Sequence, residues 1–174
     1  QTLMDCRIGL MVDPDHPAHL ETEYSDDNAE YIPSLNMAMT YDYDNNYSNW
    51  PGADLAYMGI MMLQTPIDSS GADIGVTSWK SFKYSDMPKS GNIGGSYFAS
   101  RDEAQYNYMK PGVFSPSPQI KADVCYTMSS GDFNMASGDT QKIVITIIVA
   151  DSRDELLKTA ENAITVFNND FKTP

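Results

Sequence analysis

Asp42, Asp44 and Asn46 stand two residues apart at the end of an alternating stretch, and Asp13 and Asp15 follow another apolar run with the same spacing. Asp26 and Asp27 lie in the acidic segment between them. Carboxylates and carboxamides are hard oxygen donors, and calcium gathers about six to eight such oxygens at about 2.3 to 2.6 Å from flexible loops. Asp13, Asp15, Asp26, Asp27, Asp42, Asp44 and Asn46 are therefore the candidate ligands, and calcium is the expected ion. Asp42, Asp44 and Asn46 fit the first three ligand positions of an EF-hand loop, but Tyr47 stands where glycine is required and no glutamate closes the loop. That rules out an EF-hand. The competing reading is that these acids are solvated turn residues, serving turn formation and solubility.

Enzymatic chemistry finds less support in the same residues. A glycosidase sets two carboxylates across a cleft, about 5 to 5.5 Å apart for retention and about 6.5 to 9.5 Å for inversion. Asp42 and Asp44 would sit side by side on one strand face, about 7 Å apart, and only Asp13 or Asp15 is placed to oppose them. A Ser-His-Asp triad, or a zinc ion, would draw on His16 or His19, the only two histidines. Both lie in a proline-broken acidic segment, with neither a nucleophile elbow nor a specified third ligand. The glycines within residues 90–96 lack the lysine and the following helix of a phosphate cradle. The expectation is no catalysis, with a glycoside hydrolase-like use of the loop carboxylates as an alternative.

A second alternative is a carbohydrate-binding module. Tyr24, Tyr31, Tyr41, Tyr43, Tyr47 and Trp50 concentrate near the acidic segments, where exposed rings stack on sugar faces and carboxylates accept hydroxyl hydrogen bonds. Core and rim packing is the plainer use of such rings. Asn46-Tyr47-Ser48 is a glycosylation sequon, with Asn46 as acceptor.

Composition narrows the partners. The chain has 174 residues, 11 basic and 24 acidic, for a formal charge of −13. That charge repels nucleic acid and anionic lipid. No run approaches the ~20 apolar residues of a membrane span. The length suits one domain, residues 1–174, with a single core and no need of metal or disulfide support. Eleven tyrosines and eleven methionines, with no lysine before Lys80, suit an exposed-aromatic β module better than a cytosolic enzyme. Cys6 and Cys125 either pair, stapling the first strand to a late one, or stand as two buried thiols; the expectation carried forward is the disulfide. Because the chain begins at Gln1, it is expected to be processed or cut from something longer.

The elements that position the acids follow from periodicity. Residues 7–12 read as a short strand stopped by prolines, and residues 18–35 as a long polar loop. Residues 36–45 alternate, with Met37, Met39, Tyr41 and Tyr43 on one face and Ala38, Thr40, Asp42 and Asp44 on the other. Residues 56–63 form a continuous apolar strand. Residues 74–82 fit a strand and a short helix equally. Residues 100–110 read as an amphipathic helix, and residues 120–128 as a half-buried strand. Residues 131–139, punctuated by glycine and aspartate, suit a short edge strand turning into the next. Residues 142–150 are an unbroken β-branched run, expected as a central strand covered on both faces. Ser152 and Glu155 then stand at capping-box spacing, ahead of an apolar face of Leu156, Leu157, Ala160, Ala163, Ile164 and Phe167. This closing helix spans about 152–170. The sum is a mainly β chain: an antiparallel β-sandwich with a packed C-terminal α-helix.

Residues 130–140, the strand to Ala150, Asp151-Ser152, Leu156-Leu157 and Asn162-Ala163 follow one another in a recognisable order. Residues 36–39, 41–45, 56–60 and 63–66 extend the pattern upstream. Together they resemble an uncharacterised β-rich module of large secreted bacterial proteins, often those with type IX sorting tails. Residues 130–168 match most closely. The chain departs from that pattern in lacking a glycine between Ala150 and Asp151 and a sorting tail after Phe171. The resemblance implies an extracellular, non-catalytic β module. Joined to the calcium reading, it gives the functional expectation: a secreted structural or adhesive module, the subunit of a surface filament. Its partner would be a glycan or a protein, through self-association or neighbours in a parent chain, since unpaired edge strands accept a neighbour's strand.

Overall fold

The computed structural model describes residues 1–14, 26–44, 56–86, 99–115 and 122–171, with the backbone alone for residues 99–102. Among these residues the strands are β1 (Leu3–Val12), β2 (Asp27–Ile32), β3 (Met37–Asp42), β4 (Tyr57–Gln64), β5 (Ser78–Lys83), β6 (Val124–Met135) and β7 (Val144–Ala150); the helices are α1 (Ala99–Tyr108) and α2 (Arg153–Asn168). The strands make two antiparallel sheets, β1-β6-β5 and β2-β3-β4-β7. The expected sandwich with a C-terminal helix is therefore the fold.

Alternation builds its layers. Ala29, Ala38, Ile60 and Met62 from the larger sheet meet Trp79, Val124, Tyr126 and Met128 from the smaller one, and Leu10, Val12 and Tyr31 pack at the margin. The opposite face of the larger sheet presents Met37, Met39, Met61, Ile148 and Ala150 to Leu156 and Ala160 of α2. Helix α2 starts as its sequence dictates, the Glu155 amide donating to Ser152 Oγ at 3.3 Å. A second helix covers the smaller sheet's outer face: Tyr108 at the end of α1 lies 5.2 Å from Phe82, ring centre to ring centre. Just beyond the helix, Met109 comes so close to β1 that a Cβ on Gly9 would lie 2.6 Å from its Sδ. The order is helix, sheet, sheet, helix.

Two contacts fix how the sheets overlie each other. The Tyr31 ring of β2 stacks on Trp79 of β5, with centres 6.0 Å apart. Asn36, in the left-handed region at φ 46° in the β2–β3 turn, accepts the Val76 amide on its side chain at 3.3 Å. Strands β5 and β6 thus approach β2, and the smaller sheet leaves the outward side chains of β7 uncovered.

That offset corrects several expectations. Residues 142–150 contain not a central strand but the edge strand β7. Ile148 and Ala150 are buried under α2, while Ile145, Ile147 and Val149 are 41, 66 and 64 % exposed. Residues 131–135 are no separate edge strand; they complete β6, paired to β1. The loop expected over residues 18–35 holds strand β2, whose polar residues sit against β3. Of residues 74–82, which fitted either element, 78–82 form β5 and 74–77 lead into it.

Cys6 and Cys125 are free thiols rather than a disulfide. Their strands do pair, but Cys6 lies opposite Phe133 while Val12 lies opposite Tyr126, so the two cysteines fall toward opposite ends of the β1–β6 ladder. At about 3.3 Å per residue they are far beyond the ~7 Å Cα separation a disulfide tolerates.

Candidate cation site at the acidic end of the sandwich

The β2–β3 hairpin assembles the first group of acids. Its ladder pairs Asp27 with Asp42 and Asn28 with Tyr41. The Tyr43 amide extends the ladder by donating to the Asp26 carbonyl at 2.7 Å. Beyond the strand the chain bends, and the Asp44 amide donates to Asp42 Oδ1 at 3.1 Å. One carboxylate oxygen from each of Asp26, Asp42 and Asp44 then lies within 4.8 Å of the others. Asp26 and Asp42 are 1 and 5 % exposed, whereas Asp44 faces solvent. Asp27 is buried as well but belongs to no such group.

The β1–β6 ladder assembles a second group. Asp13 leaves the end of β1 and Asp123 precedes β6, so antiparallel pairing brings them together with Cys125. The Cys125 thiol, fully buried, donates to Asp13 Oδ1 at 2.9 Å. Because Asn36 ties the start of β5 to the opposite end of the larger sheet, both acidic groups fall at the same end of the sandwich.

The expected ligand set therefore divides. Asp26, Asp42 and Asp44 converge, Asp13 joins Asp123 and Cys125, and Asp27 belongs to neither group among the described residues. Asp15, Asn46, His16, His19, Tyr24, Tyr47, Trp50 and residues 90–96 lie outside the described residues. Asp123 is the acid that sequence reasoning missed, and its signal, an aspartate directly before a strand, gains meaning only once β1 and β6 are known to pair.

Three convergent carboxylates supply three hard oxygens, and calcium completes its shell with backbone carbonyls and water. Charges held this close repel one another, so a cation at this point favours the folded chain. Of the aromatic residues expected as sugar platforms, Tyr31 and Tyr41 are committed to packing, whereas Tyr43 is exposed. Tyr31 lies between Trp79 and Phe114, and Tyr41 stacks on Tyr57 at 5.5 Å beside the α2 core. Burial pushes both phenols up, Tyr31 to about 12.

A separate cleft of about 570 Å³ opens among Ile67, Asp68, Asp132, Phe133, Asp139 and Gln141. Its acids serve local structure. Asp68 accepts from the Ser70 hydroxyl and from the Ser70 and Ala72 amides, which hold its carboxyl below the usual range. Asp139 accepts the Ala136 amide at 2.7 Å, and Asp132 is bound by Arg7. The Arg7 guanidinium also covers the Tyr106 ring, 4.4 Å from its centre.

Among the described residues no helix is long and apolar enough to cross a membrane. Compared with protein-family models, curated proteins and solved structures, the chain matches none of them.

Proposed function

We propose that the chain is a non-catalytic extracellular structural or adhesive module, the subunit of a surface fibre, whose acidic end is stiffened by calcium. The observation that carries the calcium reading is the convergence of Asp26, Asp42 and Asp44, two of them buried, within 4.8 Å. An ion there would tie the open end of the β2–β3 hairpin to the bend at Asp44. The resemblance of residues 130–168 to a secreted β module supports the extracellular setting. The uncovered strand β7 supports a role in assembly, since an edge strand pairs with another chain.

Thermal melts with excess chelator and with added calcium test the ion. Calcium stabilises by RT ln(1 + [L]/Kd), about 2.7 kcal/mol at a hundredfold excess over Kd. The expected result is a calcium-dependent rise in Tm that Asp42→Asn abolishes. Because that change also relieves carboxylate repulsion, the chelated variant should melt no lower than the chelated parent. Identical melts with and without calcium would remove the ion from the proposal, and electron microscopy showing dispersed particles in place of filaments would remove the fibre.

A further inference from the structure

We infer that β7 is the pairing edge of a homodimer, in which β7 of a second copy lies antiparallel beside it, centred on Ile147, to give one continuous sheet across both chains. Strand β7 ends the four-stranded sheet, pairing with β4 alone among the described strands. Its outer edge therefore presents a row of backbone donors and acceptors, the template on which another strand adds. Proteins protect such edges with charge, proline or bulges; residues 144–150, Val-Ile-Thr-Ile-Ile-Val-Ala, carry no charge and no proline, and the one register shift of the β4–β7 ladder falls at the strand's start, between Ile145 and Val144.

Side-chain exposure marks the same place. Ile145, Ile147 and Val149 share the face of their partners Met62, Ile60 and Met58 in β4. Ile60 and Met62 are buried between the sheets, but the smaller sheet leaves these three β-branched side chains open to water. Cross-strand pairs of β-branched residues stabilise antiparallel sheets, so a matching row in the next strand is the chemistry this face accepts.

Symmetry and charge select a second copy as the occupant. About Ile147 the row is its own complement: a two-fold axis places Ile147 against Ile147, and Ile145 against Val149 on each side. The strand's ends carry opposite charge, with exposed Lys142 before it and exposed Asp151 and Asp154 after it. The nearby Arg153 is engaged by Glu30 at 3.0 Å. Antiparallel pairing sets Lys142 of each chain beside the acids of the other, twice, whereas parallel pairing sets like against like. An interface of this kind is isologous and closes at two chains, so β7 is used up within the dimer and a fibre would have to join such dimers through a different surface. It also explains how a chain of charge −13 tolerates its own copy: contact occurs along an uncharged strand. The inference goes beyond the calcium proposal and is independent of it, since a chain that ignores calcium still has this edge.

Sedimentation velocity over a range of concentrations, in excess chelator, tests the interface apart from the ion. The expected result is a monomer–dimer equilibrium. Ile147→Lys places like charges face to face on the axis and should raise the dissociation constant at least about tenfold. Far-UV circular dichroism checks its fold, and Ile147→Thr, which keeps a β-branched side chain at this exposed position, should weaken association without unfolding. Lys142→Asp and Asp151→Lys should each weaken the dimer, and the double variant should recover it. A chain that stays monomeric throughout, a dimer indifferent to both Ile147 variants, or charge variants that do not rescue each other would overturn the assignment. Protection of β7 amides only on addition of a synthetic alternating-apolar peptide would give the edge to a foreign strand and overturn it equally.

Discussion

Tyr126 brings a hydroxyl into the core between the sheets, where it finds no hydrogen-bond partner among the described residues. Burial raises its pKa well above the ordinary value of 10.0. A buried hydroxyl left without a partner costs about 1 to 3 kcal/mol, so in urea denaturation at neutral pH Tyr126→Phe should be neutral or stabilising by about 1 kcal/mol. The sign of the alkaline effect follows from linkage. Tyr31 and Tyr126 are held neutral in the folded chain and ionise more readily in the unfolded one. Their contribution is complete below pH 10.0, the unfolded value, and is lost as pH rises through the folded value, about 12 for Tyr31. Tyr126→Phe should therefore lose less stability on alkaline titration than the parent; an identical or steeper loss would show that this phenol is not kept neutral by burial. At this scale much was legible in the sequence. Asp42 and Asp44 declared themselves by spacing and Asp26 by its acidic surroundings, while Asp123 stayed hidden because the acid it meets, Asp13, is more than a hundred residues away.

Elements were legible wherever local pattern decides them. Ser152 marked the start of α2, and the alternation of Met37, Met39 and Tyr41 against Ala38, Thr40 and Asp42 gave β3 its two faces. Pattern could not say what lies opposite a strand. The β-branched run ending at Ala150 suits a strand buried on both faces, yet burial of its second face depends on whether the other sheet extends that far. Strand β2, Asp-Asn-Ala-Glu-Tyr-Ile, hid for the converse reason: few of its residues favour strands, and pairing with β3 overrides their preference. The β1–β6 ladder supports a prediction of its own. A Cβ on Gly131 would meet the Cys6 carbonyl oxygen and Arg7 Cγ at 2.9 Å, whereas a Cβ on Gly9 would meet the flexible end of Met109 at 2.6 Å. Backbone cannot yield as a thioether can. Gly131→Ala should cost about 1 to 3 kcal/mol and Gly9→Ala clearly less, both read from urea midpoints, and the reverse order would mean that β1 and β6 separate more easily than their register implies.

Across the whole molecule the dominant physical fact is charge. At −13 the folded chain repels itself, and expansion relieves that repulsion. Monovalent salt, which shortens the Debye length to about 10 Å at 0.1 M, should raise Tm in the presence of chelator. Asp42→Asn should keep most of that salt response while losing the calcium response, which separates general screening from a bound ion. A salt-independent melt would show that the acids are too dispersed to strain the fold. Architecture at this scale was legible in outline, because alternating segments followed by an amphipathic helix have few ways to pack. The unequal width of the sheets was not, since it depends on where β5 settles over β2.

Residues 3–12 cannot find their place until the far end of the chain exists. The contact between Arg7 and Asp132 closes a loop of 125 residues, while β2, β3 and β4 are near neighbours in sequence. Loop-closure entropy makes such distant pairings slow. During synthesis the local hairpins can form first, and the N-terminal segment, carrying Leu3, Met4, Ile8 and Leu10, must wait unpaired until residues 124–135 emerge. Until then an apolar ribbon is held without its partner, the state in which a chain is most prone to aggregate.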